Sequence, residues 1–173
     1  MRKDSKASGK ETNIKLNRDK LLVDNKVNSE TFQSNPIDHS FHSGESLDFN
    51  NLVHSAVIAD KGSLFQGHVY PIFSLDQGAQ ALRAIMQDTT FAKSDHILYA
   101  YEFTDGDGQQ SSGYCDDGEW SASVALRDML KQRHINNVIL IVSRIHGGTN
   151  LGKSRFDLIR RVAAEALDSF KHH

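Results

Sequence analysis

The C-terminal third of the chain joins an apolar strand, a glycine-containing loop and a single helix, and this succession limits the folds available. Residues 138–142 are all aliphatic, and Gly147, Gly152, Lys153 and Ser154 match the phosphate-loop pattern G-x-x-x-x-G-K-[ST]. In a nucleotide hydrolase, further strands supply the acidic magnesium ligand and the rest of a parallel sheet. Nineteen residues follow Ser154, enough for one helix. The spacing therefore predicts a small domain closed by a helix, with a P-loop nucleotide binder as a remote alternative.

The size and charge of the chain favour one domain with a polarised surface. The 173 residues suffice for a single domain and a tail, and the net charge of −2 gives no overall basic field. Charge is nevertheless segregated along the sequence. Residues 102–119 hold six acidic side chains and no Lys or Arg, whereas residues 127–161 hold eight basic and two acidic side chains. If each group clusters in space, one surface is acidic and another is basic.

Cysteine usage and hydropathy predict a soluble, cytoplasmic protein. Because Cys115 is the only cysteine, it cannot form an internal disulfide, and no secretory signal is recognisable. No histidine stands beside it at a fixed position, so we expect no catalysis by this thiol. The longest apolar run, residues 138–142, is far shorter than the ~20 residues that span a bilayer. We therefore expect no membrane association.

The N-terminal residues differ in composition from the rest of the chain. Residues 1–51 are rich in Lys, Asp, Asn and Ser, and they keep neither a helical nor a strand period for long. Such a segment cannot bury enough apolar surface to offset the entropy of ordering. We predict a disordered polar tail over residues 1–51 and one folded domain over residues 52–173. At the start of the domain, residues 52–58 have roughly helical apolar spacing.

Periodicity and turn chemistry predict the remaining elements. Residues 64–73 read as a strand, Asp76 is predicted to cap a helix, and residues 97–103 alternate as a half-buried strand does. The sequence Asp-Gly-Asp-Gly at 105–108 predicts a hairpin turn and a partner strand over residues 109–115. A second helix, a central strand over residues 138–142 and a last helix capped by Ser154 complete the order β-α-β-β-α-β-α. The unbroken apolar run of that strand predicts that both of its faces are covered. This order predicts an α+β domain with helices on one face of the sheet.

Three separated motifs resemble those of the IMPACT family. They are an opening strand with Phe65 and His68 (SLFQGH, 63–68), an acidic turn of Asp116, Asp117, Gly118 and Glu119, and the loop SRIHGGTNLG (143–152) followed by Arg155 and Phe156. Their order and spacing also match the family pattern. Family members usually place two aromatic residues where this chain has Ile145 and His146. The resemblance covers roughly residues 62–167.

The resemblance implies a fold and a function. The expected fold is a mixed, four-stranded sheet with a left-handed β-α-β crossover, as in a domain of a small-subunit ribosomal protein. Eukaryotic members act as non-enzymatic regulators of translation in stress. They bind the activator of the amino-acid-sensing initiation-factor kinase, restrain that kinase, and have been linked to actin. Those members also carry an N-terminal RWD domain, where this chain has about sixty polar residues. We expect a monomer without cofactors.

The glycine loop is a candidate binding site for an anion or a partner. Backbone amides at a helix N-terminus point outward, and the helix dipole favours an anion there. Cations beside that end oppose the dipole by ~0.3–1 kcal/mol each, a cost that a bound phosphate or carboxylate would offset. The residues of this hypothesis are Arg144, His146, Gly147, Gly148, Gly152, Lys153 and Arg155. Alternatively, the glycines only permit unusual backbone angles and the cations lie in water.

The acidic turn and His68 have simpler interpretations than chemistry. Carboxylates can bind hard cations or support acid–base hydrolysis, but no histidine stands at a ligand spacing beside Asp116 and Asp117. We expect these acids to cap the following helix or to pair with Arg144, and we expect no metal. His68 is expected to be a packed, hydrogen-bonded histidine. The alternative function is a nucleic-acid or ribosome-associated module, compatible with the basic residues of 127–161.

Overall fold

A six-stranded sheet organises the part of the chain that the computed structural model describes, residues 49–87, 94–119 and 121–171. The predicted disordered tail lies outside these residues except for a 3-10 turn at Phe49–Asn51. The strands are β1 (Val53–His54), β2 (Ile58–Asp60), β3 (Ser63–Pro71), β4 (His96–Thr104), β5 (Gln110–Cys115) and β6 (Val138–Ile145). The helices are α1 (Leu75–Gln87), α2 (Ala122–Gln132) and α3 (Ser154–Lys171). The α+β class and the predicted order of the main elements are confirmed.

The strands are arranged in the order β1-β3-β6-β4-β5, and β2 also pairs with β3. The sheet therefore has six strands where four were expected, because the two short strands β1 and β2 form by pairing with β3. Residues 52–58 have roughly helical apolar spacing, but β1 and the first residue of β2 lie there instead of a helix, because both strands pair with β3. Adjacent strands are antiparallel throughout the described sheet, where a mixed sheet was expected.

Helices cover both faces of the sheet, which corrects the prediction of one covered face. The central strand β6 is buried along almost its whole length. Its residues Ile139 and Ile141 pack in one cluster with α1, whereas Leu140 and Val142 pack in another with α2 and α3. Because successive side chains of a strand point to opposite faces, an unbroken apolar strand needs a helix on each side.

The chain crosses the sheet twice between parallel strands. β3 and β4 are parallel because both are antiparallel to β6, and α1 links them; β5 and β6 are parallel because both are antiparallel to β4, and α2 links them. The second crossover reverses the strand direction, the direction of travel across the sheet and the face that its helix covers. Three reversals invert handedness, so one of the two crossovers is left-handed. Such crossovers are rare, and this one agrees with the family resemblance.

The N-terminal hydrogen bonds of α1 and α3 differ from the predicted helix caps. The Ser74 hydroxyl oxygen accepts the Gln77 N–H at 3.3 Å, so Ser74 rather than Asp76 caps α1. Ser154 is the first residue of α3, and its hydroxyl donates to the Leu151 carbonyl oxygen at 2.6 Å rather than accepting an amide. Ser74 directly precedes α1 and Ser154 begins α3, so the cap residue differs from the expectation at α1 and the direction of the hydrogen bond differs at α3.

The last helix packs directly on the opening strand at Gly67. A Cβ atom at this position would lie 2.2 Å from the Val162 carbonyl oxygen of α3, closer than real Cβ contacts come. Only glycine allows this approach without moving the helix. The glycine of the opening motif therefore fixes the distance between β3 and α3.

Candidate functional site

The glycine loop between β6 and α3 is held by side chains of this chain. The His146 N–H donates to Asp95 Oδ2 at 2.6 Å, and the Gly147 N–H donates to Ser63 Oγ at 3.0 Å. The Gly148 N–H donates to His146 Nδ1 at 2.8 Å. These three amides bind within the domain instead of pointing together at a common centre. The loop therefore lacks this part of the amide cradle of a phosphate loop, and the neighbours of β6 are antiparallel, unlike those in a P-loop sheet.

The second half of the loop is also closed on itself. The Gly152 N–H donates to Asn150 Oδ1 at 2.9 Å, and Arg155 Nη1 donates to the Gly152 carbonyl oxygen at 2.5 Å. Gly148 and Gly152 have φ values of 84° and 57°, which favour glycine. The loop glycines therefore have a structural role of their own, and the loop presents a preformed surface.

A buried carboxylate joins both ends of this loop. Glu119 is 3% exposed, accepts a hydrogen bond from Arg144 Nη1, and accepts another from Arg155 Nε at 2.9 Å. Arg144 ends the buried part of β6 and is itself 3% exposed, whereas the Arg155 side chain is 27% exposed. His96 Nε2 lies 3.5 Å from the same carboxylate. The acidic turn and the loop are thus one cluster, as the expected pairing with Arg144 implied.

The two aspartates of the acidic turn support the start of α2 and the edge of β4. Asp116 Oδ1 accepts the Ser123 N–H at 2.9 Å, and its Oδ2 accepts the Ser121 N–H at 3.1 Å. Asp117 Oδ2 accepts the Ile97 N–H at 2.7 Å. Both carboxylates are buried and serve backbone amides. The capping interpretation therefore describes Asp116, and no group of three or more metal-ligating side chains occurs in residues 49–87, 94–119 and 121–171.

Gly118 and Phe65 complete the placement of the motif residues. Gly118 is exposed with φ 87°, and a Cβ there would lie 3.3 Å from His96 Nδ1. Phe65 is fully buried, and its ring centroid lies 5.3 Å from the Arg144 guanidinium carbon. A cation over an aromatic face is stabilised by the ring quadrupole. Phe65 thus belongs to the packing beneath the cluster.

His68 forms a separate hydrogen-bonded chain on the α1 face of the sheet. Its Nε2 lies 2.8 Å from Ser143 Oγ, and its Nδ1 lies 2.6 Å from His54 Nδ1. Burial, and secondarily the charge of His54, lowers the pKa of His68 well below its usual value. Sequence reasoning expected a packed histidine here but missed both partners. Alternation along β6 could have indicated Ser143, which lies two residues after the inward-facing Ile141.

The loop offers a small set of polar groups to solvent. Residues 146–150 and Lys153 are exposed. Arg144, by contrast, is buried and paired, and Arg155 shares the Glu119 carboxylate. Of the seven residues in the anion hypothesis, the structure therefore leaves Lys153 as the exposed cation and Arg155 as a half-buried one.

Among the described helices, none is both long and apolar enough to cross a bilayer.

Comparison with known proteins identifies relatives of the domain. The Impact N-terminal domain family matches residues 61–167. Protein IMPACT of Rattus norvegicus is 34% identical over 119 residues, which cover 67% of this chain and 37% of the relative. The Protein IMPACT homolog of Caenorhabditis elegans is 29% identical over 126 residues, which cover 71% of this chain and 49% of the relative. The chain thus spans less than half the length of these relatives.

Two solved structures are also similar. The crystal structure of a hypothetical protein aligns with a TM-score of 0.54 at 18% identity, covering 69% of this chain and 57% of that protein, and shows a shared fold. The structure of the two-domain translational regulator Yih1 aligns with a TM-score of 0.45 at 26% identity, covering 75% of this chain and 54% of that protein. On the match over residues 61–167, which contain all three motifs, this chain belongs to the Impact N-terminal domain family.

Proposed function

We propose that the chain is a non-enzymatic regulator of translation of the IMPACT type, which works in the cytoplasm as a monomer. In this proposal it contacts a protein partner, the activator of the amino-acid-sensing initiation-factor kinase, and so restrains that kinase in stress. The proposal is supported by the family match over residues 61–167 and by the 34% identity between this chain and Protein IMPACT of Rattus norvegicus over 119 residues. Ribosome-associated factors and actin are further candidate partners.

The proposed contact surface is the glycine loop with Lys153. The amides of residues 146–148 and both arginines are engaged within the domain, so the loop keeps one shape before a partner arrives. A preformed surface loses less conformational entropy on binding than a flexible one. Lys153 and the exposed part of Arg155 would then meet a carboxylate or phosphate group of the partner.

One observation favours a second candidate, a nucleic-acid or ribosome-associated module. Lys153, directly before α3, is exposed, and so are Arg160 and Arg161 within this helix. Phosphate contacts by such residues release counterions, so binding would weaken steeply as salt rises. A protein contact through the loop depends less on salt.

Affinity purification of the tagged full chain from cytosol, before and after nuclease treatment, tests the proposal. We expect the kinase activator to be recovered from both samples and to be lost with Lys153→Glu. Lys171→Glu, at the other end of α3, is the matched control because it makes the same charge change at an exposed site. Recovery of only RNA-linked proteins, removed by nuclease, would support the second candidate instead.

A cellular measurement tests the regulatory part separately. Expression of the chain in amino-acid-starved cells should lower phosphorylation of the initiation factor, and Lys153→Glu should abolish the effect while leaving the protein level unchanged. Unaltered phosphorylation at a normal protein level would contradict the restraint of the kinase. Fractionation of the same cells checks the proposed cytoplasmic location.

A further inference from the structure

β5 forms an edge of the sheet and, within the described residues, has no lysine, proline or bulge that would discourage pairing with another strand. Within the described residues it pairs with β4 alone. Natural edge strands are usually blunted by lysine, proline or a bulge. The sequence of β5, QSSGYC, contains neither residue, and its register with β4 runs without interruption from the Thr104–Gln110 pair to the Tyr99–Cys115 pair.

The register identifies the backbone groups that face outward. At the hairpin, the Asp105 N–H donates to the Gln109 carbonyl oxygen at 3.0 Å, which makes these two residues a hydrogen-bonded pair. Hydrogen-bonded and non-hydrogen-bonded pairs alternate along an antiparallel ladder. The residues at the non-hydrogen-bonded positions of β5 therefore direct their N–H and C=O groups away from β4; they are Gln110, Ser112 and Tyr114. No other described strand pairs with these groups.

Small side chains leave room beside this edge. Gly113 lies under the Tyr101 ring, since a Cβ there would be 2.4 Å from the Tyr101 hydroxyl oxygen. Its neighbours Ser111 and Ser112 are small and half-buried. From Gln110 to Gly113 an added strand would therefore meet backbone and mostly short side chains, and Tyr114, with Arg127 over its ring, bounds this stretch.

Charge indicates what would bind. Glu102 and Asp105 are half-buried and Asp107 is exposed at the hairpin end of β5, and residues 102–119 contain no Lys or Arg. At the opposite end of β5, the Arg127 guanidinium carbon of α2 lies 5.4 Å from the centroid of the Tyr114 ring, so the acidic side chains stand apart at the hairpin. We propose that the β5 edge accepts an extended, lysine- or arginine-bearing segment of a partner protein as an additional strand. Backbone hydrogen bonds supply the affinity in this mode, and the acidic hairpin selects a basic segment.

The test uses the full chain and a defined probe. The probe is a synthetic eight-residue peptide of alternating threonine and valine, blocked at both ends. Two versions are used: one carries two lysines at the N-terminal end, and the other carries them at the C-terminal end. We expect amide chemical shifts and exchange rates to change at Gln110, Ser112 and Tyr114, whereas Ser111 and Gly113, bonded to β4, keep slow exchange. A peptide with glutamate in place of lysine should bind at least about tenfold more weakly.

Substitutions at Ser112 provide a matched pair. Ser112→Pro removes an outward N–H without removing a bond to β4, and we expect about a tenfold loss of peptide affinity. Ser112→Ala keeps the N–H and should bind as the parent chain does. Lys153→Glu should also bind normally, because the glycine loop is a different surface; failure of this proposal is therefore distinct from failure of the proposed function.

Three results would overturn the inference. They are equal binding of lysine and glutamate peptides, full binding to Ser112→Pro, and shifts confined to residues outside β5. Sedimentation of the full chain gives one further test. If the chain forms a dimer and Ser112→Pro abolishes it, a second copy of the chain occupies the edge, and the proposal of a basic partner segment is wrong.

Discussion

Replacing Glu119 with glutamine tests whether the buried carboxylate holds the glycine loop to the domain. The change keeps the size of the side chain and one acceptor oxygen but removes the charge opposite Arg144, which is 3% exposed. Removing one partner of a buried ion pair costs about 3–5 kcal/mol, because the other charge stays buried. Arg155 is 27% exposed on its side chain and recovers hydration, so it adds little. We expect a loss of about 3 kcal/mol in the free energy of unfolding.

Urea denaturation measures this loss, provided that the slope of the transition stays unchanged. Asp157→Asn is the control, since the Asp157–Arg160 pair is 3.5 Å long between largely exposed side chains and should contribute about 0.5 kcal/mol or less. The double variant Glu119→Gln with Arg144→Met should lose less than the sum of the single losses, because it leaves no fully buried charge without its partner. A loss at Glu119 no larger than at Asp157, or strictly additive losses, would refute the reasoning.

Further expectations concern packing, capping and pH. Gly67→Ala should destabilise the domain by about 3 kcal/mol because of the Val162 carbonyl oxygen, whereas Gly106→Ala, with no atom within 4 Å, should change the free energy of unfolding by less than about 0.5 kcal/mol; urea denaturation of both variants checks this. Asp116→Ala should cost about 1–2 kcal/mol through loss of the α2 cap, seen as a lower melting temperature; an unchanged value would contradict the capping role. Because the folded state lowers the pKa of His68, the unfolded chain binds protons more readily, so stability should fall as pH drops below 6.5. Unfolding curves between pH 7 and about 5 should lose most of this slope with His68→Asn, and an unchanged slope would point to other groups.

Long periodic segments were predictable from the sequence, and short ones were not. The alternation of β4, the unbroken apolar run of β6 and the helical spacing of α3 allowed the type of each element to be predicted directly. β1 and β2 have two and three residues and exist because β3 offers them a ladder, which no local pattern reveals. The unbroken apolar run of residues 138–142 correctly predicted a strand covered on both faces, whereas the order of the elements wrongly predicted helices on one face.

The candidate site was identified by residue type but not by arrangement. The motifs placed Arg144, Glu119 and Arg155 among the functional candidates, and pairing with Arg144 was an explicit alternative. The sequence did not indicate that one carboxylate serves both arginines, because that depends on where α3 docks on the sheet. The partners of His68 were missed for a similar reason: His54 reaches it through β1, a strand that the pattern did not predict.

The position of β6 has a consequence for how the domain is made. Before this strand is in place, β3 and β4 share no ladder, and the earlier elements remain two separate pieces. On a ribosome, the edges of β3 and β4 that pair with β6 must stay open until residues 138–145 emerge, since synthesis runs towards the C-terminus. Shortening the chain before Val138 would therefore abolish the whole domain rather than trim its final helix. The strand synthesised last is the one that joins the two halves of the molecule.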